Sequence, residues 1–395
     1  MTAHDTARGG TGARPLIILA AGGTGGHVFP AEALAGVLDR RGYRLALVTD
    51  RRGESYGGTL GSLENHQIRA GGIAGKSLLA RFRSVPELAL GTLQARTLLR
   101  RLKPRVVVGF GGYASVPTML AAAFADCRTA LHEQNAVLGR ANRLLAGRAD
   151  RIGLSFEDTR GLPEGARARS VHTGMPVRPA VAALRDTAYP ALDDAGPIHV
   201  LVVGGSQGAR VLSDVVPAGL RMLPDRVRRR LRIVQQCRPE DLERVGTAYL
   251  EAGLEAELAA FFDDLPARLA ACHLVIGRAG ASSIAEITAI GRPAVLVPYP
   301  HAIDDHQRLN AHAIDAVGGG WLMPQDTFTA AGLARRLDSL LGLPAILTKG
   351  AAASRPAGRP DAGERLADMV EALVAADGNG DGDDNGDRAP ERRAA

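Results

Sequence analysis

Apolar residues fall in short runs along this chain, and helical spacing follows each run. In the first half the runs are Leu16–Ala21, Tyr43–Thr49, Val106–Phe110, Thr129–Leu131 and Arg151–Leu154. In the second half they are Ile198–Val203, Leu231–Gln235, Leu274–Gly277 and Ala294–Pro298. Runs this short, alternating with helices, predict parallel sheets covered by helices on both faces. From Gly174 to Pro197 the chain turns irregular, with Pro176, Pro179 and Pro190, and a domain boundary is expected there. The pattern divides the chain into a polar, disordered arm (1–14), a first domain (15–175), a linker (176–197) and a second domain (198–376). An amphipathic helix over 365–376 closes the second domain. The tail, 377–395, is built of Gly, Asp, Asn and Arg and cannot form a core. A length of 395 residues agrees, since one core rarely supports so many.

Three of the strand-to-helix junctions are glycine turns: Gly22–His27 (Gly-Gly-Thr-Gly-Gly-His), Gly109–Tyr113 and Gly204–Ala209. Such a junction presents backbone N–H groups and a helix N-terminus, a setting that suits a phosphate. Glycines let a large anion approach the main chain. Two domains of this kind place the carboxyl ends of both sheets on a shared cleft, so all three turns are expected to face it. His27 ends the first turn, and imidazole is the side chain best suited to moving a proton near neutral pH. A diphosphate ligand or a plain structural turn are the other readings of His27.

Composition narrows the partner. The formal charge of +6 favours an anionic ligand or surface, while 4% aromatics and no basic run with interleaved aromatics argue against nucleic acid. Three scattered cysteines (Cys127, Cys237, Cys272) supply neither a disulfide framework nor a zinc site. No apolar run approaches the roughly 18 residues that a membrane helix needs. The run before the first glycine turn is too short for a signal peptide.

Several partial motifs fail on their context. The tail from Asp377 copies the first half of an EF-hand loop but carries Arg388 where a bidentate Glu is required. Ala70–Ser77 approaches a P-loop, but polar residues precede it and Pro86 follows. Gly22–His27 lacks the third glycine of a dinucleotide fingerprint. Gly204-x-Ser206-x-Gly208 matches a nucleophile elbow after a strand, and Asp304 and His306 could complete a serine hydrolase. That alternative leaves the first two glycine turns without a role.

Seven motifs in order carry a closer resemblance: Gly22–His27, Val107–Ser115, Leu131–Asn135 (Leu-His-Glu-Gln-Asn), Val202–Arg210, Phe261–Asp264, Arg278–Glu286 and Asp304–Ala311. Together they resemble the MurG family of bacterial peptidoglycan N-acetylglucosaminyltransferases, from about Leu16 to about Ala376. The resemblance implies a GT-B fold, two Rossmann-like parallel-sheet domains facing across a cleft. It implies inverting transfer of GlcNAc from UDP-GlcNAc to the C4 hydroxyl of MurNAc in lipid I, giving lipid II. The donor would bind mainly to the second domain and the lipid-linked acceptor to the first. By the resemblance, Ser206 and the N–H groups after it hold the donor diphosphate. The main chain at Phe262 reads the uracil, and Glu286 clamps the ribose within the donor stretch Ala281, Ser282, Ser283, Ile284, Ala285. Asn135 and Gln307 suit sugar hydroxyls, Arg178 offsets charge on the departing UDP, and Thr24, Gly25 and Gly26 lie where donor and acceptor meet. His27 is the expected general base and Glu133 its rival. The family's Gly-Asn-Pro-Val-Arg reads Gly174-Met175-Pro176-Val177-Arg178 here, a departure at Met175.

No metal or other cofactor is expected, because helix dipole and Arg can replace a metal-bridged diphosphate. Membrane contact is expected from Leu78, Leu79 and Phe82, ringed by Lys76, Arg81 and Arg83, on an anionic inner-membrane surface. An ordinary amphipathic helix with these residues in the core is the other reading. The expected location is peripheral, at the cytoplasmic face of the cell membrane.

Overall fold

The computed structural model describes residues 14–22, 25–50, 57–70, 78–193, 195–205 and 208–378, with the backbone alone for 25, 78–85, 377 and 378. Thr24, Ser206, the tail motif beyond Gly378 and all of the P-loop-like stretch after Ala70 lie outside the described residues.

The first sheet holds β1 (Leu16–Ala20), β2 (Arg44–Thr49), β3 (Glu64–Gln67), β4 (Val106–Gly109), β5 (Arg128–Glu133), β6 (Arg151–Leu154) and β7 (Ser170–His172). The second holds β8 (Ile198–Val203), β9 (Leu231–Gln236), β10 (Ala256–Ala259), β11 (Leu274–Gly277), β12 (Ala294–Leu296) and β13 (Gly320–Leu322). The spatial orders are β3-β2-β1-β4-β5-β6-β7 and β10-β9-β8-β11-β12-β13. Every pairing is parallel. In both sheets the order reverses beside the first strand, between β1 and β4 and between β8 and β11. A crevice opens at the carboxyl ends of such a pair, and ligands of this fold bind there. The first two glycine turns follow β1 and β4, and the third follows β8.

Gly22 shows why the first turn needs glycine. A Cβ there would lie 2.7 Å from that of Ala114 and 3.0 Å from Thr49 Oγ1, so the turn is pressed against the helix that follows β4.

Four strands lack the apolar runs that marked the others: β3, β7, β10 and β13. Each is an edge strand. An edge is covered less completely than the centre, so Glu64–Gln67 can be polar and mostly exposed while still pairing with β2.

The last helix, Ala362–Gly378, departs from the expected domain division. It closes the first domain rather than the second. Its buried face, Leu366, Ala367, Met369, Val370 and Leu373, packs with Ile17, Leu19, Val106, Val108 and Leu34. An amphipathic stripe only requires some apolar face, and the uncovered one belongs to the first sheet. Ion pairs from Arg41 to Glu364, Asp368 and Glu371 border this apolar contact. The linker is likewise not free: Val177 and Val181 are buried in the second domain's core. Cys237 and Cys272 are buried, Cys127 is partly buried, and none of the three is in a disulfide.

Candidate active site

His27 lies in the first turn of the helix Gly25–Arg40, directly after β1. Its Nδ1 is 2.9 Å from the carbonyl oxygen of Phe110, at the end of β4, and 3.0 Å from Gln134 Oε1, just past β5. The imidazole is therefore anchored across the point where the strand order reverses. The second glycine turn makes this possible. Gly111 and Gly112 have φ of 81° and 70°, and a Cβ on Gly112 would sit 3.2 Å from His27 Cδ2 and 3.4 Å from Nε2. At this turn the close approach that glycine permits is made by the histidine ring, where a phosphate was expected.

Behind His27 stands a buried polar chain. Gln134 Nε2 donates to the carbonyl of His132 (2.8 Å) and lies 3.1 Å from His132 Nδ1. His132 Nε2 is 3.2 Å from the carbonyl oxygen of Gly174. His132 is fully buried, and burial pushes its pKa down to about 4.

Glu133 points into a different environment. It is 1% exposed. Its Oε1 accepts from Asn135 N (2.9 Å) and Asn135 Nδ2 (3.4 Å), and its Oε2 accepts from Gly139 N (2.8 Å) and Asn142 Nδ2 (2.8 Å). The carboxylate thus holds the loop Asn135–Gly139 in place.

The second domain supplies the opposing wall. The helix Ala281–Ile290 begins after β11 with Gly280 as its cap. Ala281 and Ile284 are buried, while Ser282, Ser283, Ala285 and Glu286 are partly exposed. Glu286 and Arg178, assigned separate tasks above, meet as a bidentate pair: Arg178 Nε donates to Oε1 (2.7 Å) and a terminal nitrogen to Oε2 (2.9 Å). Phe262 is buried under the Arg268 guanidinium, 4.4 Å from its ring centroid. Gln307 Oε1 accepts from Tyr299 N at 2.9 Å.

Asn310 joins the two walls. It is fully buried, accepts from Ala136 N (2.8 Å), and donates to Asn135 Oδ1 (3.1 Å) and the Ala279 carbonyl (3.2 Å). Asn135 therefore sits at the junction of the domains. Arg140 and Arg143 of the first domain approach Asp304 of the second at 3.3 and 3.6 Å. Asp304 and Asp305 both have positive φ (54° and 52°), an unusual pair for non-glycine residues.

His132, Gln134, Asn142 and Asn310 were not singled out from the sequence as site residues. Spacing held part of the signal, since residues two apart on an extended segment share a face, as His132 and Gln134 do. Asn310 lay within a quoted motif with nothing to mark its partner 175 residues away.

Comparison with known proteins agrees with this geometry. Residues 17–154 match the glycosyltransferase family 28 N-terminal domain, and residues 199–366 match the glycosyltransferase family 28 C-terminal domain. A protein of Paramagnetospirillum magneticum named UDP-N-acetylglucosamine–N-acetylmuramyl-(pentapeptide) pyrophosphoryl-undecaprenol N-acetylglucosamine transferase is 61% identical over 361 residues, 91% of this chain and 97% of the relative. The Rhodospirillum rubrum protein of the same name is 58% identical, covering 91% of this chain and 92% of its own. A crystal structure of Acinetobacter baumannii MurG superposes with a TM-score of 0.75 at 28% identity, over 91% of this chain and 99% of that one. This chain belongs to the MurG family.

The MurG family's GT-B fold is what the two parallel sheets and their shared cleft form. The hydrolase alternative finds no support in the geometry: Asp304 faces Arg140 and Arg143, and His306 Nδ1 lies 2.8 Å from the Ile303 carbonyl. Met175, at the family's Asn position, is buried, and Ser155 Oγ lies 3.6 Å from its sulfur. Among the described residues no cluster of metal-ligating side chains occurs, and no helix is long and apolar enough to cross a membrane.

Proposed function

We propose that this protein transfers GlcNAc from UDP-GlcNAc to the C4 hydroxyl of MurNAc in lipid I, with His27 as general base. The observation that carries the reading is the placement of His27. It sits at the reversal point of the first sheet, anchored through Nδ1, on the domain opposite the helix that bears Glu286. With the proton on Nδ1, Nε2 of the neutral imidazole holds a lone pair. The acceptor hydroxyl attacks the anomeric carbon of GlcNAc, the bond from that carbon to the UDP oxygen breaks, and Nε2 takes the hydroxyl proton. The attack comes from the face opposite UDP, so the configuration inverts. Glu133, enclosed by four donors, supports the loop that carries Asn135 and is not placed to serve as the base.

Glu286 suits the ribose. A carboxylate in a bidentate pair with Arg spends one lone pair per oxygen on it, and the remaining ones accept from vicinal hydroxyls. Arg178 thereby holds the clamp in orientation, and its second terminal nitrogen is left to meet charge on the departing diphosphate. The first residues of the helix, Ala281, Ser282 and Ser283, are small enough to admit the nucleotide close to the helix end, where N–H groups favour an anion.

The acceptor's lipid tail requires a membrane surface. The helix Leu78–Leu102 supports the expected docking segment, because Leu90 and Leu93, farther along it, are 45% and 59% exposed. Positions 79, 82, 86, 90 and 93 recur at helical spacing. We place the anionic inner leaflet against this helix, which makes the protein peripheral at the cytoplasmic face.

Labelled UDP-GlcNAc incubated with a lipid I analogue should give a labelled disaccharide, and no product would refute the assignment. Labelling of Ser206 by a fluorophosphonate would favour the hydrolase instead. His27→Ala should lower kcat about 10²-fold or more with UDP affinity nearly intact. A variant that keeps kcat and loses only acceptor affinity would make His27 a diphosphate ligand.

A further inference from the structure

The hydrogen-bond chain behind His27 has a direction, and it can be read from the chemistry of its members. The Gln134 amide has one donor end and one acceptor end. Its nitrogen faces two acceptors, the carbonyl oxygen and Nδ1 of His132. Were the amide turned over, its oxygen would face that carbonyl oxygen at 2.8 Å, two acceptors in contact. The orientation is therefore fixed, and Oε1 faces His27. The same logic holds at the far end. His132 Nε2 faces the Gly174 carbonyl, so the proton of His132 lies on Nε2 and its Nδ1 is the acceptor that Gln134 requires. Burial of His132 and Gln134, 0% and 2% exposed, excludes solvent that could substitute for a lost partner.

We propose that Gln134, held by His132, is a positioning residue that fixes His27 as the Nδ1–H tautomer and so keeps its Nε2 lone pair available to the acceptor hydroxyl. Phe110 contributes the other acceptor for Nδ1. Gly112 completes the arrangement on the other side of the ring. A side chain at 112 would begin 3.4 Å from Nε2, so glycine keeps that nitrogen uncovered. The chain runs from the Gly174 carbonyl, at the end of the first domain, to the reacting nitrogen. It also gives Gln134 a task that its position between Glu133 and Asn135 does not suggest. The inference rests on the reading of His27 as base for its catalytic consequence, whereas the tautomer itself is a property of the ligand-free protein.

The test uses the full-length protein labelled with ¹⁵N-histidine. In the wild type, the His27 nitrogen shifts should show Nδ1 protonated and Nε2 bare; a protonated Nε2 in the neutral ring would overturn the proposal. Gln134→Met, close in length and volume but without an acceptor oxygen, leaves Nδ1–H to the Phe110 carbonyl alone and should show a measurable share of the Nε2–H tautomer that the wild type lacks. It should also lose about 10-fold in kcat, a share of the roughly 10²–10⁴ that a general base contributes, with the KM for UDP-GlcNAc unchanged. Gln134→Glu keeps an acceptor oxygen facing Nδ1 and, protonated on its second oxygen so as to donate to the His132 carbonyl, should recover the tautomer and most of kcat. A residue that merely fills space predicts the reverse, with Met tolerated better than Glu, and that result would overturn the proposal. Should Met prevent folding, Glu and the wild-type spectrum still decide. Correct tautomers throughout, with His27→Ala fully active, would retain the positioning and reject the base.

Discussion

Replacing Glu133 by Gln removes one acceptor from a buried site that holds four donors and adds two more. The amide oxygen should settle at the position of Oε2, where the bonds from Gly139 N and Asn142 Nδ2 are both 2.8 Å. The new NH₂ group then faces Asn135 N and Asn135 Nδ2, now 2.9 and 3.4 Å from Oε1. The bond from Asn135 N to a charged acceptor is lost, worth roughly 1.5–3 kcal/mol, and the two retained bonds weaken as the acceptor becomes neutral. A total near 3 kcal/mol follows, which lowers the melting temperature of a domain this size by about 6–12 °C. Differential scanning calorimetry measures the loss. Turnover assayed well below the transition should stay within about tenfold of wild type, since the carboxylate acts by holding the loop. A Glu133→Gln protein with an unchanged melting temperature and kcat reduced about 10²-fold or more would refute this reasoning and make Glu133 the base.

Glu286→Ala should raise the KM for UDP-GlcNAc roughly 10- to 150-fold, the equivalent of about 1.5–3 kcal/mol of lost ribose hydrogen bonds, with little change for the acceptor. Unchanged UDP affinity by calorimetry would remove it from the site. Changing Leu78, Leu79 and Phe82 together to Ser should weaken sedimentation with anionic liposomes while sparing the melting temperature; a large stability loss would place these residues in the core. Burial lowers the pKa of His132 to about 4 from 6.5 and also lowers those of His172, His199 and His273. The unfolded chain therefore binds more protons below pH 6.5, and the melting temperature should fall as pH drops from about 6.5 toward 4. A melting temperature that rises over that window would contradict it.

The central strands were legible because a strand covered on both faces must be apolar. The edge strands β3, β7, β10 and β13 were not, because their outer sides face solvent or loops and their sequences are free to be polar. His27 stood out through its glycine turn and residue type. Its anchors did not, since Phe110 contributes a carbonyl that any residue possesses and Gln134 lies 107 positions away. Glu133 and Arg178 illustrate a further limit. Residue type left Glu133 open as a base and Arg178 as a partner of the diphosphate, and neither the four donors around the carboxylate nor the partner of the guanidinium could be read from the chain. The pairing of Arg178 with Glu286 became visible only once the linker was seen packed into the second domain. Helical periodicity announced the last helix but not its destination, because an apolar stripe does not specify which face it will cover.

The return of that helix to the first sheet sets an order of events during biosynthesis. The ribosome releases β1 to β7 first, yet the side of that sheet bearing Ile17, Leu19, Val106 and Val108 receives part of its cover from residues after Ala362. Some 200 residues must be translated in between, roughly 10–40 s at bacterial elongation rates. The earliest part of the nascent chain thus waits partly bare for the latest, and the second half folds as an insertion within the first. An early stop codon just before Ala362 would injure the amino-terminal half, far from the lesion in sequence, and leave the carboxyl-terminal sheet intact.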